Sequence, residues 1–379
     1  MTDRGRVKER LLPAAYRLNT YEVFMTWDCN LRCVYCYECV AGKDTAERRE
    51  EKKGAMTSEK ITEVVNFIAE THDKNAKELR IIFWGGEPFL AFEQIKEMIA
   101  KIEQAQADGR IEKEVSYTTT SNLTVLTLEQ MQYLQTKRFS ILVSFDGLEK
   151  TTDQNRGKGT FAKVIKNMAL LHGLRIPFSI RMTVSLEQID SLGRNLEFVN
   201  DLGHKFWWSL DSTKKTLAQD DIEKILNILL WFHQSYPNNF AETLSRHLRK
   251  RDKNFCIDPY RQITIDPAGD LRVCSRVDYV IGNIREGVTK YSEIRDWPFY
   301  SGKPLKICAD CLVYDKCKGG CLGEHFEKNK NLSADYKLNT AQCQEILMMH
   351  LLNENLILKQ QYASLKKEEE KELCHIPTI

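Results

Sequence analysis

Residues 21–36 read YEVFMTWDCNLRCVYC. The first seven, 21–27, are apolar and aromatic enough to predict a buried strand. Cys29, Cys33 and Cys36 then follow at its C-terminal end, spaced C-x3-C-x2-C, with Tyr35 just before the last thiol. Closely spaced cysteines serve disulfide frameworks, zinc sites and iron–sulfur clusters. Structural zinc usually takes four ligands presented in pairs, and no histidine lies nearby to complete this set, although Cys39 would. Three thiolates on a cubane cluster would instead leave one iron open to an outside ligand.

The rest of the chain narrows the choice. It has 379 residues, 42% of them hydrophobic, which is ample for one large domain and a smaller one. Net charge is +2, from 55 basic and 53 acidic residues, so there is no electrostatic case for a nucleic-acid or membrane partner. The opening MTDRGRVKERLLPAAYRL has no apolar signal-peptide core, and the richest apolar stretch, LNILLWF (226–232), is far too short to span a bilayer. A cytoplasmic protein is expected. There the twelve cysteines would stay reduced, and their clustering points to metal.

From residue 21 onward, strand and helix alternate. Strands are predicted at 21–27, 78–85, 115–122, 139–147, 177–185 and 205–212. Helices are predicted at 58–72, capped by Thr57 or Ser58, and at 92–106, 126–137, 161–173 and 191–203. Such alternation demands parallel strands with helical crossovers, and it places chemistry at the strands' C-terminal ends. The fold class expected is α/β, with a sheet that either lies open or curls into a partial (β/α)6 barrel of the TIM type. Residues 219–250 read as charged helix. From Cys256 the chain is short strands, turns and cysteines, with too little apolar material for a separate core. The stretch LKKEEEKEL (365–373) reads as a solvated helix.

Together these motifs resemble the radical S-adenosylmethionine (SAM) superfamily. The resemblance rests on C29-NLR-C33-VY-C36 after the first strand and on Gly85-Gly86-Glu87-Pro88 at the end of the second. It implies that Cys29, Cys33 and Cys36 hold a [4Fe–4S] cluster. It also implies that the GGEP backbone and acid hold the amino group of SAM, with the glycines allowing close approach. Ser144-Phe145-Asp146-Gly147 and Asp153-Gln154-Asn155-Arg156-Gly157 resemble a segment of the peptide-modifying branch. By that match Ser144 and Arg156 contact SAM, the Arg156 guanidinium pairing with the carboxylate of SAM. Tyr35 and Gly86 line the same site, and Leu210, on a looser alignment, packs on the adenine. The plain alternatives are a turn at 85–88, turn caps at Ser144 and Asp146, and a surface salt bridge at Arg156.

Further on, the spacing C256-x12-G269-x4-C274, then C308-x2-C311-x5-C317-x3-C321 and Cys343, resembles the seven-cysteine SPASM domain. The family's topology implies an outer auxiliary iron–sulfur cluster on Cys308, Cys311, Cys317 and Cys343, and an inner one on Cys256, Cys274 and Cys321. No fourth inner cysteine is present in 257–262. The inner cluster therefore either has an open iron, which a substrate thiolate or carboxylate would bind, or is closed by another residue. Cys39 and Cys374 read as spare thiols. The organisation expected is a 1–20 extension, a 21–215 barrel, a 216–255 helical linker, a 256–350 SPASM domain and a 351–379 tail.

The resemblance implies reductive cleavage of SAM to a 5′-deoxyadenosyl radical, which takes hydrogen from an unactivated C–H bond. The barrel would position that bond and exclude water. An external donor such as flavodoxin or ferredoxin would supply the electron. Of the substrates the branch implies, a ribosomally made peptide gaining a thioether or carbon–carbon cross-link is preferred. The alternative is anaerobic sulfatase maturation to formylglycine. That reading is weakened because Ser275 stands where those enzymes carry an aspartate base; Asp258, Asp266 and Asp278 lie nearby with no role assigned. Trp207 and Trp208 are candidates to line the cavity. Only 28 residues precede Cys29, too few for a leader-binding domain, so direct recognition or a separate partner is expected. A third class, an electron-transfer protein or zinc scaffold, leaves the GGEP and Ser144–Arg156 segments unexplained.

Overall fold

The computed structural model describes residues 11–36, 54–211, 217–248, 258–301, 308, 310–321, 323 and 343–356. Cys39, Cys256, Cys374 and the helix expected at 365–373 lie outside them. Six strands run parallel in chain order: β1 (Thr20–Thr26), β2 (Glu78–Gly85), β3 (Glu114–Ser121), β4 (Phe139–Ser144), β5 (Phe178–Val184) and β6 (Phe206–Leu210). Helices α1 (Ser58–Thr71), α2 (Phe92–Ala107), α3 (Leu128–Gln135), α4 (Glu149–Arg156), α5 (Thr160–Gly173) and α6 (Leu192–Asp201) carry the chain between them. This is the α/β architecture expected. Local chemistry sets its starts: Thr57 caps α1 by accepting from Lys60 N, and Thr127 with Gln130 forms a capping box on α3.

Strand alternation divides the side chains between two faces. Tyr21, Leu79, Ile81, Phe83, Tyr117, Ile141, Ile180 and Trp208 are buried. Phe83, Tyr117 and Phe139 stack with centroids 6.0 to 6.4 Å apart, and Tyr21 meets Phe67 of α1. These residues face the helices. The opposite face of the strands, from Glu22 and Thr26 round to Arg181 and Trp207, is the concave one.

Helix α4 was not foreseen. Its sequence, EKTTDQNR, has no apolar stripe to reveal it. Tertiary contacts make it instead, chiefly Arg156 and Asn155 bonding to Asp146. Strand β4 also stops earlier than expected, because Gly147 at φ 108° turns the chain out of the sheet.

Beyond β6 come α7 (Gln219–Ser235) and α8 (Thr243–Leu248). Four short strands follow: β7 (Gln262–Ile265), β8 (Asp270–Arg272), β9 (Val280–Asn283) and β10 (Gly287–Val288). They do not form a sheet of their own. β7 pairs in parallel with β1, and β8 to β10 add antiparallel strands outward, giving one ten-stranded sheet in the order β10-β9-β8-β7-β1-β2-β3-β4-β5-β6. Ile263, Ile265, Leu271, Val277 and Ile281 join the barrel's hydrophobic core. By contrast, Val313, Cys317 and Ile346 form a small cluster of their own. That isolation suits a segment that depends on metal.

Candidate active site

The chain leaves β1 at Thr26 and turns at once into the first cysteine loop. Leu31 N lies 3.5 Å from Cys29 Sγ, and Cys36 N donates to Cys33 O at 3.0 Å. The three thiols are half-buried. Burial pushes Cys29 up to about 11, and Cys33 and Cys36 raise it further, so the thiols are electrostatic neighbours. Burial raises Cys33 too, while the Arg156 guanidinium holds it back. Among the described residues no three or more of these side chains are drawn into a closed metal cage. The donor set is nonetheless three thiols on one turn with a cation beside them, which suits an anionic iron–sulfur cluster.

Asp146, which the sequence offers within the Ser144–Gly147 segment with no role of its own beyond a turn cap, is the centre of the site's wall. Its carboxylate is buried and accepts from five donors. These are the Tyr35 hydroxyl, Asn155 Nδ2 at 3.1 Å, Arg156 Nε at 3.0 Å, Arg156 Nη2 at 2.8 Å and Thr183 N at 3.0 Å. Val34 N also donates to Asn155 O at 2.9 Å. The cysteine loop is thus tied at two points to the β4–α4 segment. The Arg156 fork is spent on Asp146 and lies 5.4 Å from the Tyr35 ring. It is no surface ion pair, being 5% exposed.

The glycine pair has a cause visible in the backbone. A Cβ on Gly85 would meet Thr26 O at 2.4 Å, and one on Gly86 would meet Asp28 O at 2.4 Å. Gly86 N and Glu87 N donate to Thr26 O and Asp28 O at 3.1 and 2.8 Å. The β2 exit therefore presses on the chain that leads to Cys29. Glu87 turns inward: its carboxylate accepts from Phe89 N, the Ser121 hydroxyl and Asn122 N at 3.1, 2.8 and 2.7 Å. Burial pushes it up to about 7. Pro88 opens a short 3-10 turn, Pro88–Ala91, behind it. Asn122 Nδ2 in turn bonds Asn30 Oδ1 at 3.0 Å, so the β3 end also supports the loop.

Ser144 is the last residue of β4 and stands opposite Arg181 in register. Leu210 ends β6, and its N donates to Glu345 at 3.1 Å, which ties the barrel to the helix at 343–356. Trp207 and Trp208 face opposite ways. Trp208 is core, whereas Trp207 lies between the guanidiniums of Arg181 and Arg246, at 4.9 and 4.3 Å.

The later cysteines fall into two places. Cys308, Cys311, Cys317 and Cys343 line one cavity of about 150 Å³, with Val313 and Ile346 against it. These are the four that the family resemblance implies for the outer cluster, and a shared cavity of thiols fits such a group. Cys274 follows β8, where Cys321 is among its charged neighbours. Cys256 is outside the described residues. Glu22, unremarked in the sequence, is buried beside them: it accepts from Thr264 Oγ1 at 2.7 Å and from Ser275 N at 3.2 Å. The one available signal was a carboxylate inside an otherwise apolar strand. Asp278 pairs with Arg272 at 2.6 Å and Asp266 with the same guanidinium at 3.0 Å, so both are held in place on the sheet.

Residues 23–199 match the radical SAM superfamily model. The chain is 23% identical over 328 residues to a cysteine-type anaerobic sulfatase-maturating enzyme of Clostridium novyi (strain NT), covering 78% of this chain and 85% of that one. It is 20% identical over 342 residues to the radical SAM cyclopropyl synthase TigE of Paramaledivibacter caminithermalis, covering 83% and 70%. Its fold is similar to that of native anSMEcpe with bound AdoMet, at TM-score 0.72 and 17% identity over 90% of this chain and 98% of the other. It is also similar to Streptococcus suis SuiB bound to precursor peptide SuiA, at TM-score 0.58 and 17% identity over 90% and 78%. No helix among the described residues is long and apolar enough to cross a membrane. Residues 23–199 belong to the radical SAM superfamily.

Proposed function

We propose that the protein is a radical SAM oxidoreductase that modifies a peptide, installing a thioether or carbon–carbon cross-link. The observation that carries this reading is the three-thiol loop of Cys29, Cys33 and Cys36. It is clamped by Asp146 and Asn155 at the strands' C-terminal ends, with Cys274 just after β8 and Cys308, Cys311, Cys317 and Cys343 gathered round one cavity. When bound there, SAM and a reduced [4Fe–4S] cluster would supply the one-electron chemistry needed to activate an unactivated C–H bond.

The chain's own residues position that chemistry. Cys29, Cys33 and Cys36 hold the cluster. Tyr35, the backbone at Gly85 and Gly86, Ser144, Arg156 and Leu210 form the SAM site. Glu87 and Pro88 shape it from behind, fixed by Ser121 and Asn122. Cys308, Cys311, Cys317 and Cys343 hold the outer auxiliary cluster. Cys256, Cys274 and Cys321 contribute to the inner one. Trp207, set between two guanidiniums, belongs to the substrate wall.

Sulfatase maturation is the second reading, supported by the likeness to the Clostridium novyi enzyme. Ser275, in place of an acid after Cys274, speaks against it. Anaerobic incubation with SAM, reductant and a short peptide encoded beside the gene separates the two. Loss of two hydrogens from that peptide supports cross-linking. An unchanged peptide, with formylglycine formed on a sulfatase-derived one, overturns it in favour of the second reading.

A further inference from the structure

Glutamate is rare inside strands and almost never fully buried without a partner. Glu22 is both in a strand and buried. It sits in the middle of β1, between Ile82 of β2 and Thr264 of β7, and is 6% exposed. Every group that bonds to it is neutral: the Thr264 hydroxyl at 2.7 Å, Ser275 N at 3.2 Å and the Ser275 hydroxyl. Among the described residues no lysine, arginine or histidine makes an ion pair with it, and burial raises its carboxyl. A buried carboxyl without a counter-charge is costly to ionise unless a proton or a metal ion neutralises it. Such a carboxyl is neutral when it holds a proton, and becomes a ready oxygen donor where a metal ion takes the proton's place.

Ser275 is the residue directly after Cys274. Burial pushes the Cys274 thiol up to about 12, and Glu22 and Cys321 are the charged groups that raise it further. The carboxylate and two thiols therefore share one region at the β1–β7 junction. The same cysteine group is the one for which 257–262 supplies no fourth thiol. We propose that the Glu22 carboxylate is the fourth ligand of the inner auxiliary cluster, in place of a cysteine. This rests on the reading that Cys256, Cys274 and Cys321 hold that cluster. An oxygen donor from β1 would also join the auxiliary site to the strand that carries Cys29, Cys33 and Cys36.

The test uses the full chain with Cys29, Cys33 and Cys36 all replaced by alanine, so that only auxiliary iron remains. It compares this parent with parent carrying Glu22→Gln or Glu22→Cys. All are reconstituted without oxygen, and iron, sulfide and Mössbauer spectra are read. The proposal expects one oxygen-ligated iron site in the parent, converted to an all-thiolate spectrum by Glu22→Cys. It expects Glu22→Gln to lose one iron per chain on mild oxidation, with the outer cluster unchanged as internal reference. An all-thiolate parent overturns the proposal, as does an oxygen-ligated site that persists in both variants. The parent spectrum decides even where a variant fails to fold. A parent that takes up no iron overturns the auxiliary-cluster reading itself, and Glu22's role with it.

Discussion

The Tyr35 hydroxyl donates its hydrogen bond to the Asp146 carboxylate, which joins the cysteine loop to the end of β4. The same carboxylate holds the Arg156 fork at 2.8 and 3.0 Å. One buried acid thus sets both the loop that carries the thiols and the nearest cation.

Asp146→Asn keeps the shape but leaves Arg156 buried without its counter-charge. A loss of about 3–5 kcal/mol is expected. Tyr35→Phe removes only one bond to a charged acceptor, and about 1.5–3 kcal/mol is expected. Urea unfolding of the metal-free protein under reducing conditions measures both. If Asp146→Asn costs no more than Tyr35→Phe, Asp146 is not the hub described.

Gly86→Ala would set a Cβ 2.4 Å from Asp28 O and 2.6 Å from Trp27 O. Neither backbone oxygen can yield without moving the start of the cysteine loop. A destabilisation of about 1–3 kcal/mol is expected, as for overpacked sites. Iron bound at the first site should fall with it. Iron analysis in a chain lacking the auxiliary cysteines checks this. Full iron loading would mean that the close approach does not shape the loop.

These two sites also show what the sequence could and could not reveal. The βα alternation and the spacing of Cys29, Cys33 and Cys36 depend on local pattern, and pattern survives in sequence. Helix α4 has no apolar periodicity and forms because Asp146 binds its last turn. The place of Glu22 depends on β7 pairing with β1 from 242 residues away, which no local window contains. Gly86 was legible as a special position. Its reason, a press of backbone on backbone, was not.

Glu87 gives the protein a pH dependence of definite sign. Burial raises its carboxyl from 4.5 to about 7, against the pull of Asn122 N, the Ser121 hydroxyl and Phe89 N. The folded chain therefore keeps a proton that the unfolded chain releases at lower pH. Stability from this group is full below about 4.5, is lost as pH rises to about 7, and changes no further above that. The span is about 3 kcal/mol, at about 1.4 kcal/mol per pH unit. Unfolding of metal-free wild type and Glu87→Gln at several pH values measures it. The slope should fall by about that amount in the variant, leaving the part that belongs to other raised carboxyls such as Glu22; an unchanged slope would remove Glu87 as a source.

Cys343 shares a cavity with Cys308, Cys311 and Cys317. Cys343→Ser is expected to remove one cluster's worth of iron and sulfide, leaving the first site able to cleave SAM. Iron, sulfide and 5′-deoxyadenosine assays on the same preparation check both halves. Unchanged iron would remove Cys343 from the outer set.

The most direct test of the central claim is formation of 5′-deoxyadenosine from SAM by the anaerobically reconstituted, reduced protein. Wild type should produce it together with methionine. Variants with alanine at Cys29, Cys33 or Cys36 should produce none, while keeping their auxiliary iron. No 5′-deoxyadenosine from fully loaded wild type, or equal amounts from the cysteine variants, would contradict the account.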